Sequence, residues 1–204
     1  MKHSLLLIGV IVLILMGAGC AADQTTTETE ELDSQITQSM EEETNAWEHP
    51  GVLKDEEIQN KQVRITTEKG DIVFELYADS APLTVSNMVY LVGEGYYDGL
   101  AFHRREEGFV IQGGDPNGDG TGGPGYTFFD ELDDDYSYDH GIVAMANRGI
   151  HTNGSQFFIM LADYPLPKAY TIFGKVTEGL EIVADIKVGD EMTKVVIEDI
   201  PAAE

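Results

Sequence analysis

From Lys61 onward the chain reads as short β-prone runs set off by turn residues, with room between them for only two helices. Val63-Arg64-Ile65-Thr66-Thr67 and Ile72-Val73-Phe74-Glu75-Leu76-Tyr77 have strand character, and Lys69-Gly70-Asp71 supplies the turn of a hairpin. Asp79-Ser80-Ala81-Pro82 offers a side-chain N-cap and a first-turn proline. Leu83, Val85, Met88, Val89 and Val92 follow at helical spacing, until Gly93 and Gly95 end the run. Further short apolar runs fall at 101–102, 109–112, 142–145, 157–161 and 171–176, with a second helix at 180–186 and a last strand at 194–198. Strands at this spacing with two helices predict a mainly β domain, a closed eight-stranded antiparallel barrel, because closure removes exposed strand edges. No repeat and no second domain is visible.

The preceding residues have a different character. Lys2 and His3 lead into an apolar run from Leu5 to Met16, followed by Gly17-Ala18-Gly19-Cys20. A charged start, a short apolar run and small residues describe a signal peptide over 1–20. The one cysteine, directly after the small residues, is similar to the lipobox of prokaryotic lipoproteins, which implies cleavage and lipidation at Cys20. Gly17 departs from that pattern, which usually has leucine there. An uncleaved anchor is the weaker reading, since Leu5 to Gly19 falls short of the roughly 20 residues that span a bilayer. Either reading puts the remaining chain outside the cytoplasm, anchored at the cell membrane. Residues 21–60 hold twelve acids against Lys54 alone and few apolar side chains, so they predict a flexible acidic linker. Ile36 to Glu43 allows a short helix, and Trp47 either docks on the domain or stands exposed. The folded domain is expected over 61–204, as a monomer.

Charge limits the partners. The formal net charge is −25, from 37 acidic residues against 12 basic ones. Such a surface repels nucleic acid and anionic lipid headgroups, so no nucleic-acid partner is expected, and membrane contact only through the N-terminal anchor.

Gly113-Gly-Asp115-Pro-Asn117-Gly-Asp119-Gly-Thr-Gly-Gly123 satisfies two motif searches at once. Read as an EF-hand loop from Asp115, it has Tyr126 where the twelfth position needs a bidentate acid. Read as a dinucleotide fingerprint, it has Pro124-Gly125 where a helix must open. The glycines are better read as permitting tight bends, and no metal or cofactor is expected. Asp133-Asp134-Asp135 reads as a solvated loop. His103, His140 and His151 lack metal-ligand spacing, and Ser155 in Asn-Gly-Ser-Gln lacks the nucleophile-elbow pattern. Alternation predicts Val110 and Gln112 on one face of a strand, with Phe109 and Ile111 on the other. The polar cluster of Asn147, Asn153, Gly154, Ser155 and Gln156 either lines a cavity or satisfies a loop backbone, and composition alone favours the loop.

The ordered strings Phe102-His-Arg104, Gly108-Phe-Val-Ile-Gln112-Gly-Gly-Asp-Pro116, Gly120-Thr-Gly-Gly-Pro-Gly-Tyr126, Met145-Ala-Asn147 and Thr152-Asn-Gly-Ser-Gln156-Phe-Phe-Ile159 closely resemble the cyclophilin family of peptidyl-prolyl cis-trans isomerases, over roughly 62–200. The resemblance implies a cyclophilin-like barrel that acts on proline-containing polypeptides without a cofactor. It assigns Arg104 as the catalytic arginine and Gln112 as the residue that helps position it. Phe109, Val110 and Phe158 would line the proline pocket, with Leu166 at its rim and Tyr170 where histidine is frequent. Ala146 and Asn147 would offer backbone contacts to the peptide, and Gln156 would close the adjoining pocket. Pro165 stands at or beside a position often held by tryptophan, with Tyr164 as its spatial substitute, so strong cyclosporin binding is not carried over. Arg105 and Arg148 read as surface ion-pair partners.

These residue types suit the chemistry. Prolyl isomerisation breaks no bond and takes tens of seconds unaided. It speeds up when a donor stabilises the nitrogen lone pair that appears as amide resonance is lost. The expected function is therefore an isomerase that assists the folding of exported proteins. The alternatives are a proline-peptide-binding module or envelope scaffold without turnover, and a protein responsive to calcium or salt through its acidic loops.

Overall fold

The structure, a computed structural model, describes residues 48–201. The leader, Cys20, the 36–43 segment and Trp47 lie outside the described residues. In chain order the elements are α1 (Asp55–Ile58), β1 (Lys61–Thr67), β2 (Gly70–Leu76), α2 (Pro82–Gly93), β3 (Arg104–Glu106), β4 (Val110–Gly113), β5 (Ile142–Met145), β6 (Phe157–Met160), β7 (Ile172–Glu178), α3 (Leu180–Asp185) and β8 (Lys194–Asp199). The hairpin is present, with Val63 opposite Phe74 and Ile65 opposite Ile72. All eight strands join one antiparallel sheet in the order β3-β4-β6-β5-β7-β2-β1-β8.

The expected closed ring is instead a curled sheet. Its edge strands β3 and β8 share no ladder among the described residues. Residues 101–102, expected as a strand, make a single bridge, Ala101 to Glu191. Around it Phe102 N donates to Asp190 O at 2.9 Å and Met192 N to Leu100 O at 2.9 Å, so the seam is held by a few backbone bonds. The physical reason is local. Phe102 turns into the core, whereas β3 itself is three polar residues that pair only with β4.

Alternation along the central strands separates two apolar clusters. Ile111, Val143, Met145, Phe157 and Ile159 face the main core, where α2 presents Val85, Met88, Leu91 and Val92 and α3 presents Val183. Val110, Ile142, Ala144, Phe158 and Met160 point the other way, into a smaller cluster completed by Tyr138 and Ile172. Every residue of β5 and β6 is buried because both faces are covered. Each fully buried large apolar side chain contributes about 1.5–3 kcal/mol, so this two-sided burial holds the register of the central strands firmly.

Two sequence expectations change. The sequence places residues 48–60 in the linker, yet α1 makes a third helix, Ile58 is buried, and Leu53 packs on the core with its N–H donated to Ser86 Oγ at 2.9 Å. The His49 ring lies 4.8 Å from that of Phe128 and 5.5 Å from that of Tyr126. A few apolar residues suffice to dock an acidic segment when their partners lie elsewhere in the chain. The N-terminus of α2 is also capped differently. Neither Asp79 nor Ser80 caps it; Ala81 is the N-cap residue and makes no side-chain cap bond. Glu131 reaches across instead, accepting Leu83 N and Thr84 N at 2.9 Å and Thr84 Oγ1 at 2.8 Å. A carboxylate there satisfies orphan donors and the helix dipole together. Asp79 accepts a hydrogen bond from Gln59 Nε2.

Glu131→Ala should lower unfolding free energy by about 1–2 kcal/mol, read from the urea midpoint. Asp79→Ala should stay within about 0.5 kcal/mol.

Candidate active site

The smaller apolar cluster opens to solvent as a cavity of about 160 Å³. Its walls are Arg104 from β3, Val110 and Gln112 from β4, Phe158 from β6, and Phe109, Ala146, Asn147, Leu166 and Tyr170 from the flanking loops. Nine of the ten site positions picked from the sequence thus share one cavity. Gln156 lies behind them and lines a second, larger cavity, which Gln112, Ala146 and Asn147 also border.

Strand alternation places Val110 and Gln112 on the cavity side and Ile111 in the main core, as expected. Phe109, expected on the Ile111 side, instead joins Val110 in the cavity wall. It precedes the strand, in a turn closed by Phe109 N donating to Glu106 O at 3.0 Å with Gly108 at φ 67°, so strand periodicity does not govern it. Phe158 meets the Tyr170 ring edge-on at 5.6 Å between centroids. Tyr164 covers Phe109 from outside at 4.7 Å. Tyr138, which sequence reading passed over within an acidic loop, anchors the far wall: its hydroxyl donates to Tyr170 O at 2.8 Å and accepts from Tyr170 N at 3.1 Å. Burial pushes its phenol pKa upward, so the hydroxyl stays a donor. The neighbouring Asp134, read as part of a solvated loop, is buried at its side chain, pairs with Lys168 and accepts Tyr136 N at 2.8 Å.

One polar relay crosses the cavity floor. Arg104 and Gln112 are cross-strand partners, and Arg104 Nη1 donates to Gln112 Oε1 at 2.9 Å. That leaves the Gln112 amide nitrogen to donate to Gln156 Oε1 at 2.9 Å. Gln156 Nε2 then donates to Gly122 O at 2.9 Å and Gly120 O at 3.1 Å. Each amide has one orientation that satisfies the relay, so the guanidinium is held by a chain ending in backbone. Its Nε and Nη2 face Glu106, and its Cζ sits 5.9 Å from the Phe109 ring centre. Three of its five N–H groups are thereby engaged and two remain. Burial lowers the pKa of the adjacent His103, which limits a second positive charge beside Arg104. Beside the cavity, the backbone N–H and carbonyl of Asn147 have no hydrogen-bond partner among the described residues, whereas its side chain is fixed on Ala169 O at 2.9 Å.

The glycine loop supports this floor. Asp115 is buried and its carboxylate accepts Asn117 N at 2.9 Å and Asp119 N at 3.1 Å, with a further short bond from Gly120 N. The acid that suggested a cation site is committed to the loop's own amides. Among the described residues no group of three or more His, Cys, Asp or Glu is placed to hold a metal.

Comparison with known proteins gives a consistent picture. The family model for the cyclophilin type peptidyl-prolyl cis-trans isomerase/CLD matches residues 62–202. The chain is similar to peptidyl-prolyl cis-trans isomerase B of Bacillus subtilis, 50% identical over 62% of this chain and 90% of that one. It is also similar to a peptidyl-prolyl cis-trans isomerase of Helicobacter pylori, 45% identical over 71% of this chain and 91% of that one. A crystal structure of a cyclophilin type isomerase from Cryptosporidium parvum superposes with a TM-score of 0.64 at 39% identity, covering 69% of this chain and 99% of that one. That protein has also been solved in the presence of the dipeptide Ala-Pro.

A side chain at Gly122 would lie 2.1 Å from Asp115 Oδ1 and 2.9 Å from Pro116 Cδ. Gly122→Ala should therefore cost about 1–3 kcal/mol in denaturant unfolding. Gly123→Ala, with open space around it, should fall within about 0.5 kcal/mol.

Proposed function

The chain belongs to the cyclophilin-type peptidyl-prolyl cis-trans isomerases, and on that premise we propose that Arg104 is its catalytic cation, Gln112 its positioning residue and the 160 Å³ cavity its proline site. The observation that carries this reading is a guanidinium held by Gln112 at the mouth of an apolar cavity. The proline ring packs against Val110, Phe158 and Leu166, with Phe109 and Tyr170 as side walls. The flanking chain runs extended along Asn147, whose free N–H and carbonyl pair with it as an added strand would. As the prolyl bond twists, resonance is lost and the nitrogen lone pair becomes an acceptor. An unengaged N–H of Arg104 donates to it. That bond exists only in the twisted state, so it lowers the barrier without stabilising the ground state equally. Donors aimed at charge that develops in the transition state are worth about 2.7–4 kcal/mol, or roughly 10²–10³ in rate.

The setting is read from the N-terminal sequence. The signal-like leader, Cys20 and the acidic stretch after it support a lipid-anchored isomerase outside the cytoplasm that assists folding of exported proteins. The alternative, a binding module without turnover, is disfavoured by the intact Arg104–Gln112–Gln156 relay, since binding alone needs no oriented cation.

Arg104→Ala should lower kcat/KM on a proline peptide by about 10²–10³ at unchanged melting temperature. Phe158→Ala should instead weaken peptide binding; full activity in Arg104→Ala would remove the mechanism. The protein extracted from cell envelopes should weigh more than the unmodified chain from Cys20 onward, and Cys20→Ser should abolish both the added mass and the membrane retention.

A further inference from the structure

The larger cavity, about 740 Å³, shares Gln112, Ala146 and Asn147 with the proline site, so a chain seated in one must enter or pass the other. Its walls are mostly glycine, proline and neutral polar side chains. Among the described residues, Arg148 is the only charged one that lines it. Of the four arginines, Arg64, Arg104 and Arg105 are each ion-paired. Arg148, expected as an ion-pair partner, has no carboxylate at ion-pair distance among the described residues. An unpaired arginine in a chain of net charge −25 is a conspicuous choice.

Arg148 is also held in place. Its Nη2 donates to Gly120 O at 2.7 Å, and its backbone N–H donates to Thr152 Oγ1 at 2.8 Å. Thr152 Oγ1 in turn donates to Gly149 O at 2.8 Å, and Gly149 N to Asn147 Oδ1 at 3.2 Å, so the loop is tied to the peptide-binding edge. The acids of the neighbouring loops are turned to local donors. Asp119 accepts Thr121 N at 2.8 Å and Oγ1 at 2.6 Å, while Asp130 accepts His151 N at 2.8 Å and Asn153 Nδ2 at 2.9 Å.

We propose that Arg148 determines specificity, giving this isomerase a preference for proline segments that carry an acidic residue a few positions from the proline, within the larger cavity. The proposal rests on the smaller cavity being the proline site. Because Arg148 is exposed, its ion pair with substrate is screened, and the selectivity is modest and salt-dependent.

The test uses the full chain and short proline peptides in which a single residue is glutamate, alanine or lysine, moved through the positions on either side of the proline. At one position the glutamate peptide should exceed the lysine peptide in kcat/KM by about fivefold at low salt. The ratio should approach one in Arg148→Ala and in high salt, persist in Arg148→Lys, and invert in Arg148→Glu. A wild-type ratio of one at every position, or a ratio unchanged in Arg148→Ala, overturns charge selection while leaving the proline site standing. If no peptide is turned over, the proline-site reading itself fails.

Discussion

Burial of β5 and β6 on both faces is the constraint on which the rest depends. A strand covered on one side can tolerate a change in what lies on the other. Here Phe157 and Ile159 fill the main core, while Phe158 and Met160 line the back of the smaller cluster. A one-residue slip would exchange these sets and empty both. The cavity is therefore built on strands held in register, which suits the role proposed for Arg104.

On that frame, a relay of neutral amides transmits rigidity to a charge. Arg104 is half-exposed and would otherwise be free to sample many rotamers. Gln112 opposes it across the β3–β4 ladder, and Gln156 and the carbonyls of Gly120 and Gly122 fix Gln112 in turn. The glycine loop thus acts at one remove from Arg104. Its close packing against Asp115 leaves no room for a side chain at Gly122, and its carbonyls terminate the relay. A stretch that matches ligand-binding motifs serves here as a backbone support.

How much of this was legible in the sequence varies with the range of the interaction. The β1–β2 hairpin and the α2 and α3 helices follow from local periodicity and turn chemistry, and Val110 and Gln112 fall on one face as alternation requires. Phe109 escapes because it belongs to a turn, where a period of two has no meaning. Local rules place the cap on α2 at adjacent residues, but Glu131 supplies it from 47 and 48 positions away, beyond their reach. Tyr138 and the buried Asp134 carry no signal in a loop whose composition reads as solvated. The residues proposed for the site are recognisable through their resemblance to a family; residue chemistry alone favours core and loop for most of them.

By itself the sequence determined the β-rich architecture, the amphipathic faces of its strands and helices, and the acidic balance of its charge. Those are properties of neighbours along the chain and of sums over it. The tertiary structure decided what depends on residues distant in sequence meeting at fixed separation: a curled sheet with a few backbone bonds between the segments beside its edges, a third helix drawn from an acidic segment, and a cap from a remote carboxylate. It also decided that Arg148 lines a second cavity with no carboxylate at ion-pair distance among the described residues, while Arg104 is held at the first. Hydrogen bonds and ion pairs act over a few ångströms, so the spatial neighbourhood, and not the order of residues, settles which of them form.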